Sequence, residues 1–336
     1  MADPYLLGLD IGGTKCAAIL GQSDGTILAR SEWLSEAQRG PVLMLDDLVR
    51  QSQALLAQHG GGGDGGAGTN TLGAVGVSIG GPLDAARGIV LGPPNLPSWE
   101  HVPLRDLLVQ KFHVPVGVEH DAAACALAEY RWGAGRKAGR GGIPAERLIY
   151  LTCGTGFGAG FVFDGKPYQG AAGLNVEIGH IRYQRDEPGE GVPEAFGKVG
   201  SQEAFCSAPG LGRIAAWRFP KRWGAPHPVP TPREIAALFE AGDLEALEVV
   251  SINARATGDV CAMFADMLRP DLIVLGSLAR YLGDRWVELV RRRWRRESLA
   301  TSAQVCRVVG AELAEKLQDL SALVVADAAW RSRGGV

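Results

Sequence analysis

With 336 residues the chain can bury the cores of two domains, since domains cluster at roughly 100 to 150 residues. Its 34 Lys and Arg against 37 Asp and Glu leave a net charge of -3, which provides no accumulated positive charge to hold a nucleic acid. A small-molecule partner is therefore expected, and six isolated cysteines with no C-x-x-C pair fit a reducing compartment better than a disulfide framework.

The N-terminal "MADPYLLGLDIGG" carries an acidic residue where a signal peptide needs a basic one, and no apolar run approaches a membrane span. A cytoplasmic chain with no membrane partner is expected. "YLLGLD-IGGT-KCAAILG-QSDG-TILARS" then reads as three short strands joined by Gly-rich turns. A helix around 41–58 follows, then the strand "LGAVGVSI" at 72–79, a helix around 103–112, the strand "VPVGVE" at 114–119 and the helix "DAAACALAEYRWG". From 148 the plan repeats with "LIYLT-CGTG-FGAGFVF-DGKP". Next come a long helix around 243–268, the strand "LIVLG" at 272–276, a basic helix around 281–296, the strand "QVCRVV" at 304–309 and a final helix around 312–331. Alternating strands and helices predict the α/β class, and their matching order predicts a duplicated fold with a cleft between two lobes.

Three other stretches read more simply. "HGGGGDGGAGTNT" contains G-x-G-x-x-G at Gly60, Gly62 and Gly65, but no strand feeds it and no helix follows, so it reads as a flexible loop. Residues 133–146 read as the connection between the halves. The basic run "RRRWRRE" at 291–297 lies on a helix whose Trp286, Leu289 and Val290 face inward, which makes it a solvated face.

The turn Asp10-Ile11-Gly12-Gly13-Thr14-Lys15 ends a buried strand with a carboxylate, two glycines and a hydroxyl. Such glycines let backbone N–H groups converge on a phosphate, and an Asp at a strand end can hold Mg²⁺ through water. Gly154-Thr155-Gly156-Phe157-Gly158 supplies a similar set from the second half. Either turn alone could be a plain hairpin; two at equivalent places favour a nucleotide, while no G-x-x-x-x-G-K-[ST] supports a P-loop. Asp121 follows the end of a strand at the cap position of an Ala-rich helix. Capping alone would explain a carboxylate there, but strand ends in α/β folds face the ligand.

"NVEIGH" spaces Glu177 and His180 three apart. A Glu-x-x-His metal pair needs a helix and further ligands, whereas Gly179 lies inside this single copy and "GAAGLNV" before it has loop character. A metal site is therefore not expected there, which leaves a structural role or contact with another ligand.

"LGLDIGGTKCAAIL", "GVSIGGPLD", "PPNLPSW", "VEHDAAACALAE", "LTCGTGFGAGFVFDG", "EIGH" and "LIVLGS" follow in an order and spacing that resembles the ROK family of sugar kinases and related repressors. The resemblance covers nearly the whole chain. It implies a duplicated actin-like, ribonuclease H-like ATPase fold, with residues 1–118 plus 316–336 as the smaller lobe and 119–315 as the larger. It also implies a homodimeric, ATP-dependent hexose kinase that transfers the γ-phosphoryl of Mg-ATP to glucose or a related hexose or N-acetylhexosamine. Asp121 matches the catalytic base and Asp10 the residue near Mg²⁺. Gly12, Gly13, Thr14, Lys15, Gly154, Thr155 and Gly156 match the phosphate turns, and Gly276 with Ser277 aligns with a Gly-Gly pair near the adenosine. Gly81, Asn95, His120, Asp121, Glu177, His180 and Glu203 match the sugar site. Repressor members carry a DNA-binding segment before the first strand, and only four residues precede Tyr5, so the kinase branch is expected.

Two departures stand out. Many relatives bind structural zinc through a C-x-C-G-x-x-G-C cluster after "EIGH", but residues 181–205 contain no cysteine, so no structural zinc is expected and Glu203 needs another brace. His120 replaces the usual asparagine of an Asn-Asp pair, exchanging an amide for a bulkier imidazole. These departures motivate a second reading, a sugar-binding sensor with weak or no kinase activity. A third, a serine hydrolase, rests on "GVSIG" at 76–80, whose elbow would have to turn directly into a helix.

Overall fold

The computed structural model describes residues 4–59, 71–138, 143–185 and 191–333. The loop expected at Gly60, Gly62 and Gly65 lies outside these residues, as does part of the expected 133–146 connection. The chain divides into two compact units, one of Met1–Trp132, Lys166–Asn175 and Glu315–Val336, the other of Gly133–Gly165 and Val176–Ala314.

The first unit is built on β1 (Tyr5–Ile11), β2 (Lys15–Gly21), β3 (Ile27–Leu34), β4 (Leu72–Ile79) and, beyond the short meander β5 (Leu83–Asp84), β6 (Ile89–Leu91) and β7 (Glu100–Val102), β8 (Val116–His120). The large sheet has the order β3-β2-β1-β4-β8, with β1, β2 and β3 antiparallel and β1, β4 and β8 parallel. β1 and β4 are apolar almost throughout because helices cover both their faces, whereas the edge strand β3 alternates exposed and half-buried residues. The helix Gly40–Gln58 buries Met44, Leu48, Leu55 and Leu56 on a 3–4 stripe, packed with Leu7, Leu9, Val75 and Val77.

The opposite face carries the helix Leu317–Arg331, and a row of glycines sets how closely it approaches. Gly8, Gly76 and Gly117 are in register across β1, β4 and β8. A Cβ would lie 2.8 Å from Leu323 N at Gly8, 2.5 Å from Ala322 O at Gly76 and 2.9 Å from Val325 Cγ1 at Gly117. No side chain larger than hydrogen fits this row while the helix stays where it is.

The second unit has a sheet in which Ala159–Phe163, Arg147–Leu151, Leu272–Leu275 and Arg307–Gly310 are successive neighbours, the first pair antiparallel and the others parallel. Its core joins Ile149, Leu151, Ile273 and Leu275 to the helices Leu244–Leu268 and Ser277–Glu297. Trp286 Nε1 donates to Asn253 Oδ1 at 2.8 Å, and Asn253 Nδ2 donates to Phe205 O at 2.7 Å, so this polar group is paired inside the core.

Local differences from the sequence reading have physical causes. The final helix begins at Leu317, after a short 3-10 turn at Ala314–Lys316 whose Ala314 has a φ of 45°. The strand expected at 304–309 is confined to Arg307–Gly310, because Ala300–Ala303 forms a helical turn before it. The basic run is only partly a solvated face. Trp286 and Val290 are buried, but Arg291 Nε donates to Val308 O at 2.7 Å and Arg293 pairs with Asp259 at 2.6 Å.

Candidate active site

In the first unit, the C-terminal ends of the parallel strands bring the polar residues together. Asp10, Ser78 and Glu119 stand in one cross-strand row, with His120 opposite Ile79 one residue on. Ser78 is buried and its hydroxyl pairs with Ser321 at 3.2 Å, and β4 leads into β5 rather than a helix, which is not the geometry of a nucleophile elbow.

Asp10 Oδ1 accepts from Gln318 Nε2 at 3.0 Å. Withdrawal from water pushes its carboxyl up to about 7; Gln318 opposes the rise, while the neighbouring Asp121 and Asp319 add to it. Arg30 is held against Asp319 at 2.9 Å and so offsets only part of this negative charge. A carboxylate short of cationic compensation, on oxygen-rich surroundings, suits a hard divalent cation. Among the described residues no three His, Cys, Asp or Glu side chains are gathered to hold a metal, so a cation here would rely on Asp10 and on oxygens of its own ligand or water.

The adjoining turn is tight. Gly12 N donates to Lys15 O at 3.1 Å, and a Cβ on Gly13 would lie 2.5 Å from Asn95 O, so Gly13 and Asn95 share one wall. Thr14 is exposed. Lys15 is engaged elsewhere, with its ammonium 2.5 Å from Glu32 Oε1. Lys15 and then Arg30 pull the Glu32 carboxyl down to about 2.

The helix cap falls one residue earlier than the sequence reading places it. The cap residue of the helix Asp121–Arg131 is His120, whose Nδ1 accepts from Ala122 N at 3.3 Å. Asp121 is the first helical residue; its Oδ1 takes the same N–H at 2.6 Å and lies 3.2 Å from His120 Nδ1. The reason is that β8 runs one residue further than expected, through His120. Buried Glu119 supports the pair from behind. Its Oε1 accepts from His120 N at 2.9 Å, its Oε2 accepts from Gln169 Nε2 at 3.0 Å, and burial raises its pKa. Gly81 lies against the imidazole, with 3.0 Å from the place of a Cβ to His120 Cδ2.

In the second unit, Gly154 N donates to Gly156 O at 3.0 Å, closing the turn after Arg147–Leu151. A Cβ on Gly154 would lie 3.2 Å from Ser277 Oγ, which brings Ser277 to the turn, and one on Gly276 would lie 2.8 Å from Leu151 O. Thr155 is exposed. Glu203 ties this turn to the Glu177 and His180 segment. Its Oε2 accepts from Phe157 N at 3.2 Å and lies 3.3 Å and 3.2 Å from where Cβ atoms on Gly156 and Gly179 would be. Desolvation raises the Glu203 pKa, with Phe157 N, Arg213 and His180 acting against it and Glu177 with it.

The segment after His180 is braced by protein contacts. Lys198 Nζ donates to His180 O at 2.5 Å, Arg182 Nη1 to Val199 O at 2.7 Å, and Gln202 N to Ile181 O at 2.8 Å. Lys198 belongs to a two-stranded hairpin of Glu194–Ala195 and Lys198–Val199. Ser201 caps the next helix through Ala204 N, Ser207 Oγ donates to Glu203 O at 2.7 Å, and Tyr183 packs edge-on against Phe205 with ring centres 5.0 Å apart. Residues 186–190 of the same stretch lie outside the described residues.

Sequence reading missed Gln318, Glu119 and Gln169. Glu119 stands beside His120 and could have been found from the repeated pattern LGLD, VGVS and VGVE, which aligns Asp10, Ser78 and Glu119. Gln318 is 308 residues from Asp10 and has no local signal.

Among the described residues no helix is long and apolar enough to cross a membrane. The chain is 28% identical over 303 residues to a glucokinase of Halalkalibacterium halodurans, covering 88% of this chain and 86% of that one. It is 27% identical to a xylose repressor of Caldicellulosiruptor bescii, covering 85% of this chain and 69% of the repressor. A crystal structure of a ROK family glucokinase from Streptomyces griseus in complex with glucose and AMPPNP is 28% identical with a TM-score of 0.70, covering 98% of this chain and 100% of that one. The ROK family model matches residues 6–316, and the chain belongs to the ROK family.

Proposed function

We propose that the chain is an ATP-dependent hexose kinase that transfers the γ-phosphoryl of Mg-ATP to a hydroxyl of glucose or a related hexose or N-acetylhexosamine. The observation that carries this reading is that Asp10, near the end of β1, and Asp121, directly after β8, stand close enough for the Asp121 charge to act on Asp10, beside a tight glycine turn, in a chain of this family. Two units with the same strand plan, each ending a strand in such a turn, are what a duplicated actin-like fold provides.

Asp121 is the general base that takes the proton of the attacking hydroxyl. The nucleophile loses that proton late in a loose phosphoryl-transfer transition state, so an ordinary carboxylate suffices. Gly12, Gly13 and Thr14, and likewise Gly154, Thr155 and Gly156, offer backbone and hydroxyl donors suited to phosphate oxygens. Asp10 would hold Mg²⁺ through water, and the ion would offset charge on the transferred phosphoryl group. Glu177, His180, Glu203, Asn95 and His120 orient the sugar through hydroxyl hydrogen bonds, which penalise a sugar that leaves them unpaired.

A coupled assay with Mg-ATP and a panel of hexoses and N-acetylhexosamines tests this; phosphorylation of none of them by the pure protein would refute it. The similarity to a repressor and the imidazole at position 120 favour one second reading, a sugar sensor with little turnover. Tight sugar binding without ATP binding would select it.

A further inference from the structure

The loop before Glu177 brings one side chain to the sugar wall that no motif assigns. Asn175 belongs to the first unit, as do Gly81 and His120. A Cβ built on Gly81 would lie 3.2 Å from His120 Nε2 and 3.5 Å from Asn175 Nδ2, so both nitrogens border one point beside the Gly81 backbone. Asn175 Nδ2 is buried and has no hydrogen-bond partner. A buried amide donor left unpaired is unfavourable, and a ligand oxygen would satisfy it.

The loop is anchored through the residues that lead into this position. Gln169 Nε2 donates to Glu119 Oε2 at 3.0 Å, beside His120. Ala85 N donates to Gly173 O at 3.2 Å, and Gly170 N to Leu174 O at 2.8 Å. Gly173 has a φ of 72°, and a Cβ there would lie 2.7 Å from Asp84 Oδ1. The turn that delivers Asn175 therefore depends on a residue without a side chain. On the imidazole, Nδ1 is committed to the start of its own helix, 3.2 Å from Asp121 Oδ1 and 3.3 Å from Ala122 N. Nε2 is the ring nitrogen left to face Gly81.

We propose that Asn175 is a specificity-determining contact of the sugar site: its amide donates to a hydroxyl or acetamido oxygen of the ligand beside Gly81, next to His120 Nε2. Both nitrogens offer donors to a ligand oxygen, since an imidazole whose Nδ1 accepts from Ala122 N carries its proton on Nε2. This rests on the sugar-kinase reading for the identity of the ligand, but not on turnover.

The test is calorimetric titration of the full chain with D-glucose, D-mannose, D-fructose, N-acetyl-D-glucosamine and N-acetyl-D-mannosamine. Wild type, Asn175→Ala and the isosteric Asn175→Asp are compared, and thermal unfolding of each is measured without ligand. For the sugar that wild type binds best, both variants should raise Kd about tenfold or more. The unliganded Asn175→Ala variant should unfold at the wild-type temperature or higher, since it loses an unpaired buried donor. A Kd within about twofold of wild type in either variant, or a lowered unfolding temperature that shows the amide serves the fold, overturns the proposal. Sugar binding by wild type without phosphorylation would sink the kinase reading and leave this assignment standing; a wild type that binds no sugar of the panel sinks both.

Discussion

Gln318 Nε2 donates to Asp10 Oδ1 at 3.0 Å, joining the last helix to the end of the first strand across 308 residues. The glycine row makes this contact possible, because Gly8, Gly76 and Gly117 let the helix Leu317–Arg331 lie directly on the sheet. The packing of a helix and the state of a candidate Mg²⁺ carboxylate are thus one structural fact.

Asp10 should make the free protein pH-sensitive. Its folded pKa of about 7 lies above the unfolded value of 3.8. The group therefore contributes stability that is fully present below pH 3.8 and is lost as pH rises through about 7. Asp10→Asn should raise the unfolding temperature at pH 8 and leave it unchanged near pH 4, as followed by scanning calorimetry without nucleotide.

The same raised carboxyl should release a proton when Mg-ATP binds near pH 7, because a nearby cation favours the ionised form. Titrations in buffers of different ionisation enthalpy should register that proton for wild type. Asp10→Asn should bind more weakly and release less.

Gly76→Ala tests the helix bed. The added methyl would lie 2.5 Å from Ala322 O, with backbone on both sides and no side chain able to move aside. A loss of about 3 kcal/mol is expected from overpacking, read from denaturant unfolding. An unchanged midpoint would mean that the helix can lift from the sheet at no cost.

The segment from His180 to Ser207 should hold without zinc. Chelation with EDTA should leave the unfolding temperature unchanged. Lys198→Met should weaken sugar binding by about 0.5–1.5 kcal/mol through loss of its bond to His180 O, while chelation of that variant adds nothing. A chelator-dependent drop in stability would require a metal site that residues 181–205, which contain no cysteine, do not provide.

The sheets and main helices were legible because their signal is local: continuous apolar strands, 3–4 stripes and Gly-rich turns lie within short windows. Helix starts were less so. The last helix begins five residues later than expected because Ala314 adopts a left-handed conformation, which an alanine does not advertise. The family motifs pointed to the proposed site residues but not to the residues that contact them. Gln318 and Gln169 reach Asp10 and Glu119 through tertiary packing, and nothing in their neighbouring residues marks them. The shift of the helix cap from Asp121 to His120 follows from one extra strand residue, below the precision with which sequence fixes a strand end.

The central claim is phosphoryl transfer to a sugar with Asp121 as base. The most direct measurement is single-turnover formation of the phosphosugar from γ-labelled Mg-ATP, for wild type and Asp121→Asn, using a panel sugar whose affinity is measured in parallel. The expected result is sugar phosphate from wild type and a rate about 10²- to 10⁴-fold lower for Asp121→Asn with sugar affinity retained. Equal rates from the two proteins, or no phosphosugar from wild type while the sugar is bound, would contradict it.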